Sequence, residues 1–275
     1  MIVHLIDGTY ELFRHFYGQR RFNNGKDKPF GATVGVLHGV LQMIEDGATH
    51  IGVATDHIIE SFRNELWDDY KTGAGIERVL RSQFTPLEDA LGWMGVTVWP
   101  MVELEADDAL ASAAHLAAKD KRVLKVCIWT PDKDLAQCVK ADRVVQIDRR
   151  AGAIRDEKGV KVKFGVSPEL IPDLLALVGD AADGYPGIKG IGKTGAARLL
   201  NQYGPIEKFP KNVLGDKIEQ ALLFKDLATL RTNAKLFKKV DQLEWKGPTP
   251  AFEKFTEKIG EPRLLERAKK AAKSD

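Results

Sequence analysis

Cysteine is nearly absent: two occur in 275 residues. Cys127 lies in an apolar run and Cys138 in an expected helix. They are too few for a disulfide framework and lack the paired spacing of a zinc site, so both are read as reduced packing residues. Long apolar runs are missing as well. No stretch approaches the roughly 18 uninterrupted apolar residues of a membrane span, and Met1 to Asp7 has neither the basic start nor the length of a secretion signal. The expectation is a cytoplasmic protein that engages no membrane. The six histidines form no His-Glu-x-x-His or His-x-Glu arrangement, so each is read as structural. Low-complexity segments, long linkers and fixed-period repeats are absent too, which leaves one large domain, or a main domain with a smaller one appended.

What the chain does have is acid in unusual places. Ten carboxylates fall in five clusters beside apolar runs: Asp7, Asp56, Glu103 with Glu105, Asp107 and Asp108, Asp132 with Asp134, and Asp180 with Asp183. Gathered by a fold, they would repel one another and be costly to desolvate unless cations neutralised them. Oxygen-only ligands favour Mg²⁺ or Mn²⁺. The net charge of +2 hides an asymmetry, because residues 185–275 carry +8 and residues 1–184 carry −6. With the ten acids set aside as ligands, both parts present positive surface, which suits a polyanion such as nucleic acid. Ordinary lysine-rich solvated helices would give the same split, so charge alone decides nothing.

Short β-branched runs at 2–6, 51–55, 95–99, 123–129 and 143–147 alternate with helical patterns at 31–46, 76–93, 104–119 and 133–140. This alternation predicts an α/β fold with a central, mostly parallel sheet and flanking helices. Asp7 and Asp56 end strands, Asp132 follows one, and Glu105, Asp107 and Asp108 open the helix after the third. Ligands of open parallel sheets bind at the carboxyl ends of strands, so distant acids are expected to converge on one rim. Beyond Gly165 helices take over, starting at Ser167-Pro168-Glu169 and continuing near 194–203, 215–231, 250–259 and 262–273.

Each motif has a plainer explanation. Acids enrich the first turn of any helix because they suit its dipole, but four within residues 103–108, beside other acids at neighbouring strand ends, favour a metal site. In Thr130-Pro131-Asp132-Lys133-Asp134 either aspartate could be an N-cap. The spacing also lets Asp132 face the first acidic group while Asp134 points toward a second. The strongest signal runs from Leu177 to Thr194, where a helix ends in a glycine-rich turn and a second helix begins near Lys193. Gly187, Gly190 and Gly192 let backbone approach a partner, amides near a helix start bind phosphate, and Ile188 and Ile191 would pin the turn to its helices. A bare interhelical connection would not need Gly-Ile-Lys-Gly-Ile-Gly between helices, the helix-hairpin-helix pattern that grips a DNA backbone without reading bases.

Taken in order, Leu5-Ile6-Asp7-Gly8, Glu105-Ala106-Asp107-Asp108, Asp132-Lys133-Asp134-Leu135, Gly179-Asp180 and the hairpin make the chain resemble the bacterial 5′ nucleases. This family, also called 5′ to 3′ exonucleases or flap endonucleases, includes the N-terminal nuclease domain of DNA polymerase I. The resemblance implies a PIN-like nuclease core over 1–160 with a helical gateway near 60–82. It also implies a helical DNA-binding region over 161–275, with the helix-hairpin-helix (H3TH) at about 168–203. It has Asp7, Asp56, Glu105, Asp107, Asp108 and Asp132 form or support one metal site, and Asp134, Asp180 and Asp183, sharing Asp132, the other; Glu103 is left as a surface or helix-dipole residue. Two Mg²⁺ ions, replaceable by Mn²⁺ and about 4 Å apart, would serve hydrolysis of DNA at a 5′ flap, nick or 5′ end. A K⁺ would sit at the hairpin.

The gateway counterpart runs from Phe62-Arg63 to Tyr70-Lys71, with Arg78 and Arg81 beyond. Aromatics there stack on bases while cations hold phosphates; a solvated amphipathic helix is the alternative. Lys71 and Arg14 would offset charge on the phosphate. Arg63, Tyr70, Gly187, Lys189, Gly190, Ile191, Gly192 and Lys193 would contact DNA. Arg20, Arg21, Lys26 and Lys28 form a basic loop, either a further contact or a solvated turn. Thr72-Gly73-Ala74-Gly75 replaces a stretch where the family places another arginine, which puts threading of a 5′ arm in question. RNA–DNA primer junctions, a separate DNA polymerase and roles in DNA replication and repair follow from the same resemblance, and the chain's end soon after the hairpin suggests a stand-alone nuclease.

Two rivals remain. A haloacid dehalogenase-type phosphatase would echo Leu5-Ile6-Asp7-Gly8-Thr9 but needs Asp where Thr9 stands. A non-catalytic branched-DNA-binding protein would not need the full acidic set.

Overall fold

The computed structural model describes residues 1–23, 26 and 28–273. The basic loop expected at residues 20–28 lies in part outside the described residues. Five parallel strands, β1 (Ile2–Asp7), β2 (His50–Asp56), β3 (Thr97–Met101), β4 (Lys125–Trp129) and β5 (Val144–Asp148), and one antiparallel strand, β6 (Ala153–Arg155), form a sheet of order β3-β2-β1-β4-β5-β6. The strands are apolar on both faces because both are covered. Val3 and Leu5 pack with α6 (Ala106–Ala117), whereas Ile6, Ile51 and Val53 join the opposite core, which includes Leu37 and Leu41 of α2 (Gly31–Glu45).

Several boundaries differ from expectation, each for a local reason. The third strand starts at Thr97 because Gly95, at φ +91, closes the turn after α5 (Phe84–Trp93). The helix expected over 76–93 is broken into α4 (Arg78–Arg81) and α5, because Pro86 lacks the amide needed to continue the first helix through that turn. Residues 133–140 make only a 3₁₀ segment, Asp134–Cys138. Strand β6 and the helix α7 (Glu157–Phe164) have no counterpart in the sequence reading, since a three-residue strand is too short to show alternation. The gateway is not a continuous helix. Its helical content is two separate turns, α3 (Arg63–Leu66) and α4, and after α3 Asn64 folds the chain back by accepting from the Ser61 amide and donating to the carbonyls of Tyr70 and Lys71.

The helical region divides in its packing. Helices α7, α8 (Ile171–Val178), α9 (Lys193–Tyr203), α10 (Lys211–Leu214) and α11 (Ile218–Ala228) share a core that includes Val160, Leu174, Leu200 and Phe224. The last helices, α12 (Pro250–Lys258) and α13 (Pro262–Ala271), instead return to the α/β layer. There Trp245, Phe252, Phe255 and Leu264 join the core of α2 and α5. Trp245 fixes that return, its amide donating to Thr49 O and its indole to Met94 O. Residues 245–271 therefore pack with the sheet domain and not with the hairpin. No helix among the described residues is long and apolar enough to cross a membrane.

Candidate metal centre and nucleic-acid interface

The strand order reverses direction at β1, so the crevice between the carboxyl ends of β1 and β4 is the expected binding position. Asp7 is the last residue of β1, and the first turn of α1 (Gly8–Asn23) begins there, with the Tyr10 amide donating to Asp7 Oδ1 at 2.8 Å. Asp7 Oδ2 accepts from the Thr130 hydroxyl at 3.0 Å, just beyond β4. Asp56 ends β2 and accepts from the Ala106 amide at 2.8 Å. Glu105 caps α6, Asp107 lies in its first turn, and Asp134 opens the 3₁₀ segment.

Asp180 and Asp183 arrive from the other core, in the turn after α8. That turn depends on two glycines packed backbone to backbone. A Cβ on Gly179 (φ +85) would lie 2.4 Å from Pro186 C, and one on Gly187 (φ +71) would lie 2.3 Å from Gly179 N, contacts that no side chain tolerates.

One carboxylate oxygen from each of Asp107, Asp132 and Asp134 lies within 4.8 Å of the others, and the same holds for Asp134, Asp180 and Asp183. The shared residue is Asp134, not Asp132 as the resemblance implied. Asp134 is buried where the two cores meet, whereas Asp132 is exposed. The Oδ1 of Asp134 is buried and accepts no hydrogen bond, an arrangement that costs free energy unless a cation completes it.

The electrostatics agree. Burial, followed by Asp132, Asp183 and Asp180, drives the Asp134 carboxyl well above its ordinary pKa. Burial, Asp132 and Asp7 do the same to Asp107. Burial, with Asp56 and Asp132 nearby, pushes Asp7 up to about 7 despite the Tyr10 amide. Oxygen-only donors at this density fit hard divalent cations. A cation must displace protons from these groups, so affinity for Mg²⁺ is expected to fall as pH drops from 8 to 6. Calorimetric titration across that range checks this, and a flat profile would contradict it.

Two lysines partly neutralise the cluster. Lys71 Nζ lies 2.7 Å from Glu105 and 3.1 Å from Asp183. Burial works against its charge, but Glu105 and Asp183 outweigh burial and hold the ammonium well above its ordinary pKa. Lys133 Nζ lies 2.6 Å from Asp180. Sequence reasoning passed over Lys133 although it stands inside the Asp132-Lys133-Asp134 motif.

Other expected site residues have different positions. Asp108 is not a ligand: it is fully buried and receives both Arg63 nitrogens, at 2.7 and 2.8 Å, together with the Glu105 and Arg231 amides. Arg63 is correspondingly not a DNA contact, being 1% exposed and also donating to Leu227 O and Thr229 O. Tyr70 is buried, its hydroxyl 3.4 Å from Glu105, so it offers no face for stacking.

Gly187 is buried in the turn, and Ile191 packs partly against the helical core. Ile188, beside them, is buried in the same core. Exposed on the hairpin are Lys189, Gly190, Gly192 and Lys193, and a side chain at either glycine would meet nothing within 4 Å. Arg14 is partly exposed and engages Glu11 and His15 rather than an acid of the cluster. Arg78 and Arg81 are exposed, and the Gly73 amide donates to Glu60. The gateway start is fastened to the second acid group by Lys71 N to Asp183 O and Trp67 Nε1 to Gly184 O, at 3.0 and 3.1 Å.

Comparison with known proteins adds three findings. Residues 2–165 match the model of the 5′-3′ exonuclease N-terminal resolvase-like domain, and residues 166–251 that of the 5′-3′ exonuclease C-terminal SAM fold. A 5′-3′ exonuclease of Buchnera aphidicola is 35% identical over 244 residues, covering 88% of this chain and 79% of that protein. DNA polymerase I of Pseudomonas aeruginosa is 33% identical over 87% of this chain, which spans 28% of the polymerase. The fold also matches a complex of bacteriophage T5 flap endonuclease with DNA and metal ions. The TM-score is 0.69 at 19% identity, covering 97% of this chain and all of that one.

Proposed function

The chain belongs to the 5′-3′ exonuclease family, and from that premise we propose a structure-specific 5′ nuclease that hydrolyses DNA at 5′ flaps, nicks and 5′ ends. The observation that carries the reading is the pair of carboxylate triads sharing Asp134, beside a hairpin with exposed glycines and lysines. Asp107, Asp132 and Asp134, with Asp7 and Asp56 behind them, would hold one divalent cation, and Asp134, Asp180 and Asp183 the other. Two such cations, Mg²⁺ with Mn²⁺ as substitute, would supply activation of water and charge stabilisation at the departing oxygen.

The chain's own groups do the rest. Glu105 is held by Ser61 and Arg63 and keeps Lys71 at the rim, where its ammonium can meet charge developing on the phosphate. Arg14 is a second, more distant cation for the same purpose. Lys189, Gly190, Gly192 and Lys193 would hold duplex phosphates without reading sequence, with K⁺ at this turn as part of the same reading. RNA–DNA primer junctions as substrates, a separate polymerase as partner and the cytoplasm as location belong to it too.

The phosphatase rival finds no support at position 9, where the Thr9 hydroxyl accepts the Asp56 amide and no second carboxylate stands. The test is incubation with end-labelled 5′-flap and nicked duplex DNA. Cleavage is expected with Mg²⁺ or Mn²⁺ and is lost in EDTA. Tight branched-DNA binding without cleavage would favour the non-catalytic reading instead.

A further inference from the structure

A cavity of about 470 Å³ opens between α7, α8 and α9, outside both carboxylate triads. Its volume falls in the roughly 300–1,000 Å³ range of small-ligand sites. Its polar lining is cationic: Lys133, Lys163 and Lys193, with Thr194 beside them. The floor is apolar, formed among others by Phe164, Leu175 and Val178.

The three lysines are not equivalent. Lys133 is committed to Asp180 at 2.6 Å, so it separates the cavity from the acid cluster. Lys163 has an aromatic neighbour, its Nζ 4.8 Å from the Phe164 ring centroid, and neither it nor Lys193 makes a carboxylate ion pair among the described residues. Burial and the nearby charge of Arg155 and Lys193 lower the Lys163 pKa, against the opposing pull of Asp148 and Asp132.

A cationic rim above an apolar floor selects a molecule with one anionic end and one flat, weakly polar body. A duplex backbone is anionic throughout and would gain nothing from Leu175 or Val178. We propose that this cavity binds a nucleoside 5′-monophosphate unit, its phosphate toward Lys163, Lys193 and Thr194 and its base on the apolar floor. This goes beyond the nuclease reading, because binding here requires neither divalent cation nor cleavage. The unit has two possible sources, a free mononucleotide and the 5′-terminal nucleotide of a strand.

The test is calorimetric titration of the full chain in EDTA, which keeps the carboxylate triads from contributing. Four titrants are used: deoxyadenosine monophosphate, a 5′-phosphorylated trinucleotide, deoxyadenosine and inorganic phosphate. One or both of the first two are expected to bind with a Kd below about 1 mM, and whichever binds identifies the source. Phosphate alone and the nucleoside alone are expected to be at least about tenfold weaker. Lys163→Ala is expected to weaken binding about tenfold and Lys163→Arg to retain it, while Ala197→Phe, which fills the cavity, removes it. Circular dichroism establishes that each variant is folded, and if Ala197→Phe is not, the two Lys163 variants carry the test. Absence of binding, equal binding of inorganic phosphate, or unchanged affinity in Lys163→Ala would overturn the proposal and leave the nuclease reading standing.

Discussion

Asp134→Asn is expected to reduce metal-dependent flap cleavage by about 10³-fold or more, equivalent to roughly 4 kcal/mol of barrier, while leaving a folded protein. Asp134 contributes an oxygen to both triads, so one substitution removes a ligand from two cation positions. Asp180→Asn removes one ligand from one position and is expected to cost less. Asp134→Asn should also stabilise the cation-free protein. Burial and three neighbouring aspartates raise the Asp134 pKa in the folded state, so the folded chain holds a proton that the unfolded chain releases. Stability of the wild type in EDTA therefore falls as pH rises above the ordinary aspartate range, and the variant should lose less over the same interval. Cleavage within tenfold of wild type, or a lower unfolding midpoint in EDTA at pH 8, would refute the assignment of Asp134 as the shared ligand.

Much of this site could be read before any coordinates, for definite reasons. Asp7 and Asp56 were legible because β-branched runs mark strands and the carboxyl ends of parallel strands share a rim. The hairpin was legible because its glycines answer a backbone requirement, seen in the Gly179 and Gly187 contacts. The choice between Asp132 and Asp134 was not. Two residues apart in an irregular segment, they differ only in which one the second core covers. The return of α12 and α13 to the sheet domain was hidden for a related reason, since an amphipathic pattern reveals that a helix has an apolar face but not what covers it. Arg63 was misread because a charged residue in a basic, aromatic stretch looks solvated, and Asp108 because it stands among other acids at the start of a helix. Their burial depends on carbonyls of Leu227 and Thr229, more than 160 positions away from Arg63.

That misreading leads to the second large effect, on stability rather than chemistry. Asp108→Ala is expected to cost about 3–5 kcal/mol, the usual consequence of leaving one member of a buried ion pair alone. Arg63→Ala should cost a similar amount, because it strands Asp108 and removes the donor to two carbonyls. At roughly 2–4 °C per kcal/mol for a chain somewhat smaller than this one, either variant should melt about 10 °C lower. The double variant Arg63→Met, Asp108→Leu should recover much of that loss, since apolar replacement of a buried pair is often near neutral.

It should not recover full activity. Arg63 also reaches Glu105 at 3.2 Å, and Glu105 holds Lys71, so the pair ties the segment carrying Lys71 to the helix carrying Asp107. DNA binding separates this positioning role from a direct contact. A phosphate contact would lower the salt dependence of binding by about one counterion when removed, whereas the double variant should keep the wild-type slope and lose cleavage rate. A reduced slope would return Arg63 to the DNA surface and contradict its burial beneath α11.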